Sequence, residues 1–284
     1  MNYSNEERAN ILVQALPYFQ SYNNKIVVVK YGGNAMIKEY LIDSTMYDIV
    51  LLSLIGVKVV LVHGGGIEIN EALAKMNIQS KFVNGLRVTD EETMRVVQMV
   101  LAGKVNKDLV NLIHAKGGKA IGLSGIDGHM IRASIKDPCL GYVGKIEEVN
   151  VRPILDVIEK GYIPVISTIG CDAQGNTYNI NADTAAAKIA GELGAESLIT
   201  MTDIAGILRD EKDASTLIPV VTLEEVDQLI TDQVITGGML PKVECCTNAL
   251  RWGVNKVFII DGRVPHALLI ETLTDSGIGT MFVK

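Results

Sequence analysis

Two glycine-rich segments follow apolar runs and have the composition of anion-binding loops. The run His63-Gly64-Gly65-Gly66 follows residues 57–62, and Gly32-Gly33 follows the run 26–29 with Lys30 at its end. Loops without side chains leave backbone N–H groups open to a ligand, and a helix that starts in such a loop adds positive potential. Either loop alone is equally well explained as a tight strand–helix turn. The pair favours a binding site for a polyphosphate.

Two lysines and an aspartate provide charges suited to phosphoryl transfer. Lys30 ends a predicted strand, Lys242 follows two glycines and Pro241 at a predicted helix start, and Asp183 lies at the start of a predicted helix over 184–193. Phosphoryl transfer depends mainly on positive charge and N–H donors around the phosphoryl oxygens. We expect both lysines to meet a phosphate in one cleft, with Asp183 holding them in place. The alternative is that both are solvated surface lysines. Neither the P-loop motif nor the dinucleotide fingerprint occurs.

Arg87 and Asn179 are candidates for binding an organic acid. Arg87 precedes a predicted helix whose start carries the capping-box pattern of Thr89 and Glu92. A guanidinium at this place could bind a carboxylate with two hydrogen bonds. Asn181 is a good N-cap for the helix that follows, whereas Asn179 has no such structural explanation.

The elements that must position these residues alternate between strands and helices. This alternation predicts an α/β fold with a mostly parallel sheet and helices on both faces. A capping box at Thr222 and Glu225 marks one helix start, residues 129–149 predict an antiparallel hairpin, and residues 1–24 predict a separate helix. A shift in composition near residue 190 indicates two lobes. The predicted strands are 26–29, 57–62, 120–123, 163–166, 197–200 and 257–260.

Composition excludes several classes of function. The chain has 284 residues and a formal net charge of −7, which argues against a nucleic-acid partner. We expect no membrane span, because no run reaches about 18 apolar residues, and no signal peptide. The four cysteines and four histidines lack metal-ligand spacing, so we predict no protein-held metal. Reduced thiols suit a cytoplasmic location.

Together these motifs resemble the amino acid kinase superfamily and, within it, the acetylglutamate kinases. The resemblance spans the chain in the same order and implies an open αβα sandwich of two lobes. The lobe for the amino acid would cover about 25–190 and the lobe for ATP about 191–284. The motifs are Lys30-Tyr31-Gly32-Gly33-Asn34-Ala35-Met36, His63-Gly64-Gly65-Gly66, Asn84-Gly85-Leu86-Arg87-Val88-Thr89, Asn179-Ile180-Asn181-Ala182-Asp183 and Gly237-Gly238-Met239-Leu240-Pro241-Lys242.

The implied reaction is ATP-dependent phosphorylation of the side-chain carboxylate of N-acetyl-L-glutamate, which gives N-acetyl-L-glutamyl 5-phosphate in arginine biosynthesis. By resemblance, Lys30 and Lys242 neutralise charge on the transferred phosphoryl group, and Asp183 orients both lysines. Arg87 would bind the α-carboxylate of the substrate and Asn179 its acetamido end. A carboxylate nucleophile is already ionised at pH 7, so no general base is needed.

The resemblance also assigns backbone contacts and a nucleotide loop. Mg²⁺ is expected to be held chiefly by ATP, so no protein ligand is assigned to it. Ile126 stands where many relatives have a lysine, and this position receives no role. The residues expected to bind phosphate or nucleotide are Gly32, Gly33, Gly65, Asp203 and Gly206, and Gly65 and Gly66 are expected to contact the acetylglutamate as well.

Residues 1–24 resemble the N-terminal extension of arginine-inhibited members, in which it links dimers into a hexamer, a trimer of dimers. The resemblance then implies feedback inhibition by arginine. Its site would include Tyr18, Glu271 and Gly277, with His266 as a further candidate. The alternative is an ordinary terminal helix packed on its own domain.

Other functions remain as alternatives. Glutamate 5-kinase and carbamate kinase would suit the same fold, but Arg87 in its motif favours a substrate with a free α-carboxylate over carbamate. Aspartate kinase is disfavoured, because too little sequence follows Lys242 for regulatory domains. A non-catalytic arginine sensor is the rival of a different class, and such a sensor would have no use for Lys30, Lys242 and Asp183 together.

Overall fold

The computed structural model describes residues 4–36, 38–83, 85–210 and 212–284. An eight-stranded sheet with the order β12-β14-β13-β11-β1-β2-β8-β5 lies at its centre. A four-stranded sheet (β10-β9-β6-β7) and the hairpin β3–β4 are added to it. The strands are β1 (Ile26–Tyr31), β2 (Lys58–His63), β3 (Lys81–Val83), β4 (Leu86–Val88), β5 (Ala120–Ser124), β6 (Ile131–Ile135), β7 (Gly144–Val149), β8 (Ile163–Ser167), β9 (Ile169–Cys171), β10 (Thr177–Asn179), β11 (Ser197–Thr202), β12 (Val220–Thr222), β13 (Lys256–Asp261) and β14 (Thr280–Val283).

The predicted α/β class and mostly parallel sheet are confirmed. The six predicted strands are six adjacent strands of the central sheet, from β13 to β5, and every pairing among them is parallel. β12 and β14, at the other edge, are not among the strands predicted from sequence. β14 pairs antiparallel with β13 and parallel with β12. These two strands have only three and four residues, which is too short for a clear pattern.

Helices cover both faces of the central sheet. Alternate residues of β1 enter separate cores: Val28 packs into one, and Val27 and Val29 pack into the other. This alternation follows from the two-residue period of a strand that is buried on both faces. The helices are α1 (Asn5–Gln14), α2 (Leu16–Tyr22), α3 (Glu39–Leu54), α4 (Gly66–Lys75), α5 (Glu91–Gln98), α6 (Asn106–Ala115), α7 (Arg152–Glu159), α8 (Ala182–Glu192), α9 (Leu223–Thr231), α10 (Leu240–Arg251) and α11 (Ala267–Leu273), with a π-helical segment at Met99–Val105.

Two local predictions are confirmed and one is wrong. β6 and β7 form the expected antiparallel hairpin, and the backbone N–H of Thr222 donates to Glu225 Oε2 at 2.8 Å in the expected capping box. The box predicted at Thr89 is wrong. Asp90 is the N-cap of α5, and its carboxylate accepts from the Thr93 N–H at 2.8 Å. Thr89 instead donates to the Arg87 carbonyl.

The two halves of the sequence occupy separate halves of the central sheet. β5, β8, β2 and β1 precede residue 190, and β11, β13, β14 and β12 follow it. The assignment of these halves to different ligands stays a prediction. In the N-terminal region, α1 and α2 meet at Ala15, and neither contains a buried residue. Residues 1–3 of the predicted terminal helix lie outside the described residues. No helix in the described ranges combines the length and apolar character needed to cross a membrane.

Candidate active site

The two glycine loops predicted from sequence lie side by side. They follow β1 and β2, which are adjacent parallel strands with Tyr31 paired to His63. The Gly64 N–H donates to the Tyr31 carbonyl at 3.0 Å. A Cβ atom on Gly32 would lie 3.3 Å from the Gly64 nitrogen, so a side chain there would press on the second loop. The close approach of the two backbones favours glycine at position 32 and brings both sets of N–H groups to one edge of the sheet.

The side chain of His63 supports the second glycine loop by a hydrogen bond to its backbone. Its ring is buried, and burial lowers its pKa to about 4, so the imidazole is neutral at pH 7. Its Nε2 accepts from Asn106 Nδ2 at 3.1 Å, which leaves Nδ1–H to donate to the Gly64 carbonyl at 2.8 Å. Asn106 in turn donates to the Val165 carbonyl at 2.8 Å. This contact is not predictable from sequence: His63 belongs to the glycine motif, but its partner Asn106 lies 43 residues away and in none of the motifs.

Lys30, Asp183 and Lys242 form the charged centre of the site. Lys30 has a side chain that is 9% exposed, and its Nζ lies 2.9 Å from Asp183 Oδ1. Asp183 stands in the first turn of α8, which Asn181 caps as predicted. Burial raises the pKa of Asp183, but Lys30 and Lys242 outweigh this effect and hold that pKa below its ordinary value. The carboxylate is therefore ionised between two cations.

Lys242 lies in the first turn of α10 and lines a cavity of about 400 Å³ together with Asp183 and Gly238. A cation in the first turn of a helix is unfavourable with respect to the helix dipole. Such a residue is better explained by an anion in the cavity than by helix stability. This supports the functional interpretation of the lysine over that of a solvated surface residue.

Arg87 and Asn179 line a second cavity of about 160 Å³ with Gly64, Gly65 and Gly66. Arg87 is 7% exposed, and burial lowers the pKa of its guanidinium below the ordinary value. Asn179 Nδ2 donates to Thr89 Oγ1 at 3.2 Å. Here the first turn of α4 contributes backbone N–H groups, so the cavity offers a guanidinium, an amide and a helix N-terminus to one guest.

The two cavities adjoin each other. Gly85, Leu86 and Asn181 line both of them, and Gly85 adopts a positive φ of 77° that glycine tolerates without strain. The preceding motif residue, Asn84, lies outside the described residues. The juxtaposition places one cavity with a guanidinium beside another with an ammonium group, so two anions can meet between them.

Asp203 and Gly206, the predicted nucleotide-loop residues, follow β11 at the same edge of the sheet. Thr202 Oγ1 donates to Asp203 Oδ1 at 3.2 Å. A Cβ atom on Gly206 would lie 2.5 Å from Thr280 Oγ1, and its φ is +144°, so packing alone requires glycine there. As far as the described residues go, neither residue lines the two cavities above. Their contact with nucleotide stays a prediction.

Three of the four residues predicted for an arginine site lie in one region, namely Tyr18, Glu271 and Gly277. Together with Asp275, which was not predicted, we call them the terminal cluster. The Tyr18 hydroxyl donates to Asp275. Glu271 Oε2 accepts from the N–H groups of Ile278 and Gly279 at 2.8 and 3.0 Å. Gly277 has a φ of +57°, and a Cβ atom there would lie 2.8 Å from a Glu271 carboxylate oxygen.

The fourth residue, His266, lies at the other end of α11. Its Nδ1 is 2.6 Å from Oδ1 of the buried Asp48 on α3, and its backbone N–H donates to Ser44 Oγ at 2.6 Å. His266 also adopts a left-handed φ of 59° as the residue before α11. These contacts explain its position by the docking of α11 on α3.

These features together suit a kinase that acts on a small anionic acceptor. The sheet carries two glycine loops at one edge, two cations flank an ionised aspartate, and a pocket with a guanidinium adjoins them. The model of the family described as "Amino acid kinase family" matches residues 25–261. A protein from Clostridioides difficile named acetylglutamate kinase is 58% identical over 99% of this chain and 98% of its own length. Another of that name from Thermosynechococcus vestitus is 56% identical over 99% and 95%. The chain belongs to the amino acid kinase family and, within it, to the acetylglutamate kinases.

Solved structures agree with the predicted fold. An N-acetylglutamate synthase from Neisseria gonorrhoeae, complexed with coenzyme A and N-acetyl-glutamate, superposes with a TM-score of 0.83 and 25% identity. It covers 97% of this chain, which spans only 63% of that longer protein. A carbamate kinase from Giardia lamblia bound to AMP-PNP has a TM-score of 0.64 at 17% identity and supports the fold alone. The predicted family, fold class and enzyme class are thus confirmed.

Proposed function

We propose that this kinase transfers the γ-phosphoryl group of ATP to the side-chain carboxylate of N-acetyl-L-glutamate, in the biosynthesis of arginine. The observation that carries the proposal is the adjacency of two cavities, one with Lys242 beside the Lys30–Asp183 ion pair and one with Arg87 and Asn179. The relatives with more than half of their residues identical carry the name of this activity.

The smaller cavity suits N-acetylglutamate. The Arg87 guanidinium binds the α-carboxylate, and Asn179 binds the acetamido group. Gly65 and Gly66, which line the same cavity, give backbone contacts to the side-chain carboxylate. That carboxylate then faces the larger cavity, from which the phosphoryl group arrives. A substrate without an α-carboxylate, such as carbamate, would leave the buried guanidinium unpaired, which is costly.

Lys30 and Lys242 stabilise the negative charge of the phosphoryl group during its transfer. The group leaves an oxygen of the β-phosphate of ATP and binds an oxygen of the acceptor carboxylate. Positive groups fixed before the reaction stabilise the transition state without reorganising during it. Asp183 fixes them, because its ionised carboxylate pairs with Lys30 and attracts Lys242. The acceptor carboxylate attacks in its ionised form, so no side chain has to remove a proton.

ATP enters with Mg²⁺ on its phosphate oxygens. We assign no protein ligand to this Mg²⁺. Mg²⁺ neutralises part of the phosphate charge. We assign the phosphate contacts to backbone N–H groups of Gly32, Gly33 and Gly65, and the nucleoside side to the loop of Asp203 and Gly206.

We further propose inhibition by arginine at the terminal cluster. A guanidinium ligand requires carboxylates. Asp275, which accepts from the Tyr18 hydroxyl, and Glu271, which accepts from the Ile278 N–H, provide two of them. Four large apolar side chains of the terminal helices are 49–66% exposed: Leu16, Ile11, Leu12 and Val13. Such a patch favours a protein interface, here with the same helix of a second copy in a hexamer. The four unpaired cysteines suit a cytoplasmic enzyme.

A coupled assay of ADP release tests the main proposal. The chain is given ATP, Mg²⁺ and, in turn, N-acetylglutamate, glutamate, aspartate and carbamate. We expect turnover with N-acetylglutamate at least 100-fold above that with the other acceptors, because only it fills both ends of the smaller cavity. Preferred turnover of another acceptor would refute the proposed substrate, and nucleotide binding without any turnover would favour the sensor.

Arginine titration and a mass measurement of the assembly test the regulatory part. We expect inhibition of the full chain, a mass near six chains, and loss of both when residues 1–24 are deleted. The deletion removes exposed helices without buried residues in the described part, so the kinase activity itself is expected to persist. A full-length enzyme that arginine does not inhibit would rule this part out while leaving the catalytic proposal untouched.

A further inference from the structure

Arg87 is a buried cation whose hydrogen-bond partners, within the described residues, are all uncharged. Its Nη1 donates to Asn70 Oδ1 at 2.6 Å and to Ser80 Oγ, and its Nη2 donates to the Gly66 carbonyl at 3.1 Å. The described part of the chain places no aspartate or glutamate in an ion pair with it. Buried charges are normally paired, because an unpaired one is expensive. Within the described residues, Arg87 therefore has no negative counter-charge, and an anionic ligand can supply one.

The position of Arg87 beside α4 increases this need. Gly66 is the first residue of α4, and Asn70 follows one turn later. The N-terminus of a helix carries partial positive charge, which repels a cation and attracts an anion. Since neutral oxygens satisfy the guanidinium donors without cancelling the charge, the whole charge stays available to an anionic guest.

The donors that remain free are arranged for a carboxylate. A guanidinium has five N–H donors, and the contacts to Asn70, Ser80 and Gly66 use three. The Nε hydrogen and one Nη2 hydrogen have no partner within the described residues. They belong to adjacent nitrogens, which is the arrangement that binds a carboxylate with two bonds. The Phe82 ring lies 4.7 Å from the guanidinium carbon and covers one face.

We propose that Asn70 and Ser80 are positioning residues that hold Arg87 in its carboxylate-binding orientation. The Phe82 ring restricts the tilt of the guanidinium plane, and Asn70 and Ser80 fix its rotation within that plane. Because Gly66 and Asn70 belong to the helix that follows the glycine loop, the free donors are fixed relative to the phosphate-binding backbone. The proposal rests on the proposed function, since it assumes that the α-carboxylate of N-acetylglutamate is the guest.

The test compares two acceptors that differ only at the α-position. N-acetylglutamate and its α-carboxamide analogue both retain the side-chain carboxylate that accepts the phosphoryl group, but only the first pairs with Arg87. The variants are Asn70→Ala, Ser80→Ala and the double variant. We expect the double variant to lose about tenfold in the ratio of kcat/KM values for acid over amide, through a higher KM for the acid, because ordering a long side chain at binding is costly. The KM for ATP and the kcat with the acid should not change.

The matched control is Gln79→Ala, an exposed neighbour of Ser80 that should leave the ratio unchanged. Asn70 and Ser80 are themselves exposed residues, so both substitutions should leave the fold intact, which a thermal melt verifies. Asn70→Gln and Ser80→Thr keep an acceptor oxygen and should restore much of the ratio.

An unchanged ratio in the double variant would overturn the inference. This holds whether kcat/KM stays the same with both acceptors or falls equally with both, which would indicate a merely structural role. Failure of the wild-type chain to use N-acetylglutamate would instead overturn the proposed function, and the inference with it.

Discussion

The cleft and the terminal cluster differ in how firmly the rest of the chain holds each of them. In the cleft, Lys30 is buried against an ionised Asp183, and the glycine loops are fixed by contacts from neighbouring strands. In the terminal cluster, Tyr18 belongs to a helix without buried residues, and the adjacent α1 exposes 65% of Leu12 and 66% of Val13. The first site is held by buried contacts within the chain, whereas the second includes a residue of a short exposed helix.

This difference agrees with the roles that we propose for the two sites. A transition state is stabilised best by charges that are fixed in advance and shielded from water. A regulatory site has to respond to its ligand, and regions that respond are drawn from the less stable parts of a protein. We therefore expect substitutions in the cleft to change rates strongly, and those in the terminal cluster to change inhibition alone.

The largest expected effect is that of Lys242→Ala on the rate. Removing one preorganised charge from the transition state typically costs about 100-fold to 1000-fold in kcat, and we expect a loss in this range from steady-state ADP release. The fold should persist, because Asp183 keeps its 2.9 Å ion pair with Lys30.

Lys75→Ala is the matched control, since Lys75 is exposed at the end of α4. It should leave kcat within about twofold, as is usual for an isolated surface charge. Near-normal turnover of Lys242→Ala would remove that residue from the catalytic site and with it the contrast between the two regions.

A smaller effect is expected for His63, which supports the glycine loop of the cleft as a neutral side chain. It concerns the pH dependence of the free energy of unfolding. Burial lowers the folded-state pKa of His63 to about 4, against about 6.5 when unfolded. The unfolded chain thus binds more protons between these values, and stability falls as the pH decreases from 6.5 towards 4. Between pH 7 and 5 this residue alone should reduce the free energy of unfolding by about 2 kcal/mol.

Urea denaturation at pH 7 and pH 5 checks this, with His63→Gln as the comparison. Glutamine keeps one donor and one acceptor but does not titrate. The free energy of unfolding of the variant should therefore decrease by about 2 kcal/mol less between pH 7 and pH 5 than that of the unsubstituted protein. Other titrating groups contribute equally to both proteins and cancel. An equal decrease in the two proteins would mean that the imidazole is not held neutral by burial.

How much could be predicted from sequence differs between the fold and the site in an instructive way. The six central strands carry β-branched runs that are buried on both faces, so their pattern is continuous and easily recognised. β12 and β14 have three and four residues, and their pairing depends on neighbours far away in sequence. At the start of α5, Thr89 and Asp90 are both good caps, and composition does not decide between them.

The charged residues of the site could be predicted because glycines and helix starts surround them. Their supports could not. Asn106 reaches His63 across 43 residues of sequence, and Asn70 reaches Arg87 across 17. Each is an ordinary polar residue on a helix, and its partner is set by how two elements pack. Family resemblance assigns roles to residues within motifs, whereas contacts between motifs have to be read from the structure.

The smallest expected effect is that of Glu271→Gln on inhibition, and it tests the other side of the contrast. Glutamine retains an oxygen to accept from the Ile278 and Gly279 N–H groups but removes the charge that a guanidinium ligand would pair with. A charge-assisted hydrogen bond contributes about 1.5–3 kcal/mol, so half-inhibition should require at least about tenfold more arginine. The kcat without arginine should be unchanged, because Glu271 lies outside both cavities of the cleft.

Glu224→Gln, at an exposed position on α9 with the same change of charge, is the control. If the two variants were inhibited alike, the carboxylate of Glu271 would have no part in binding arginine, and the terminal cluster would be only the packing contact between α2 and α11.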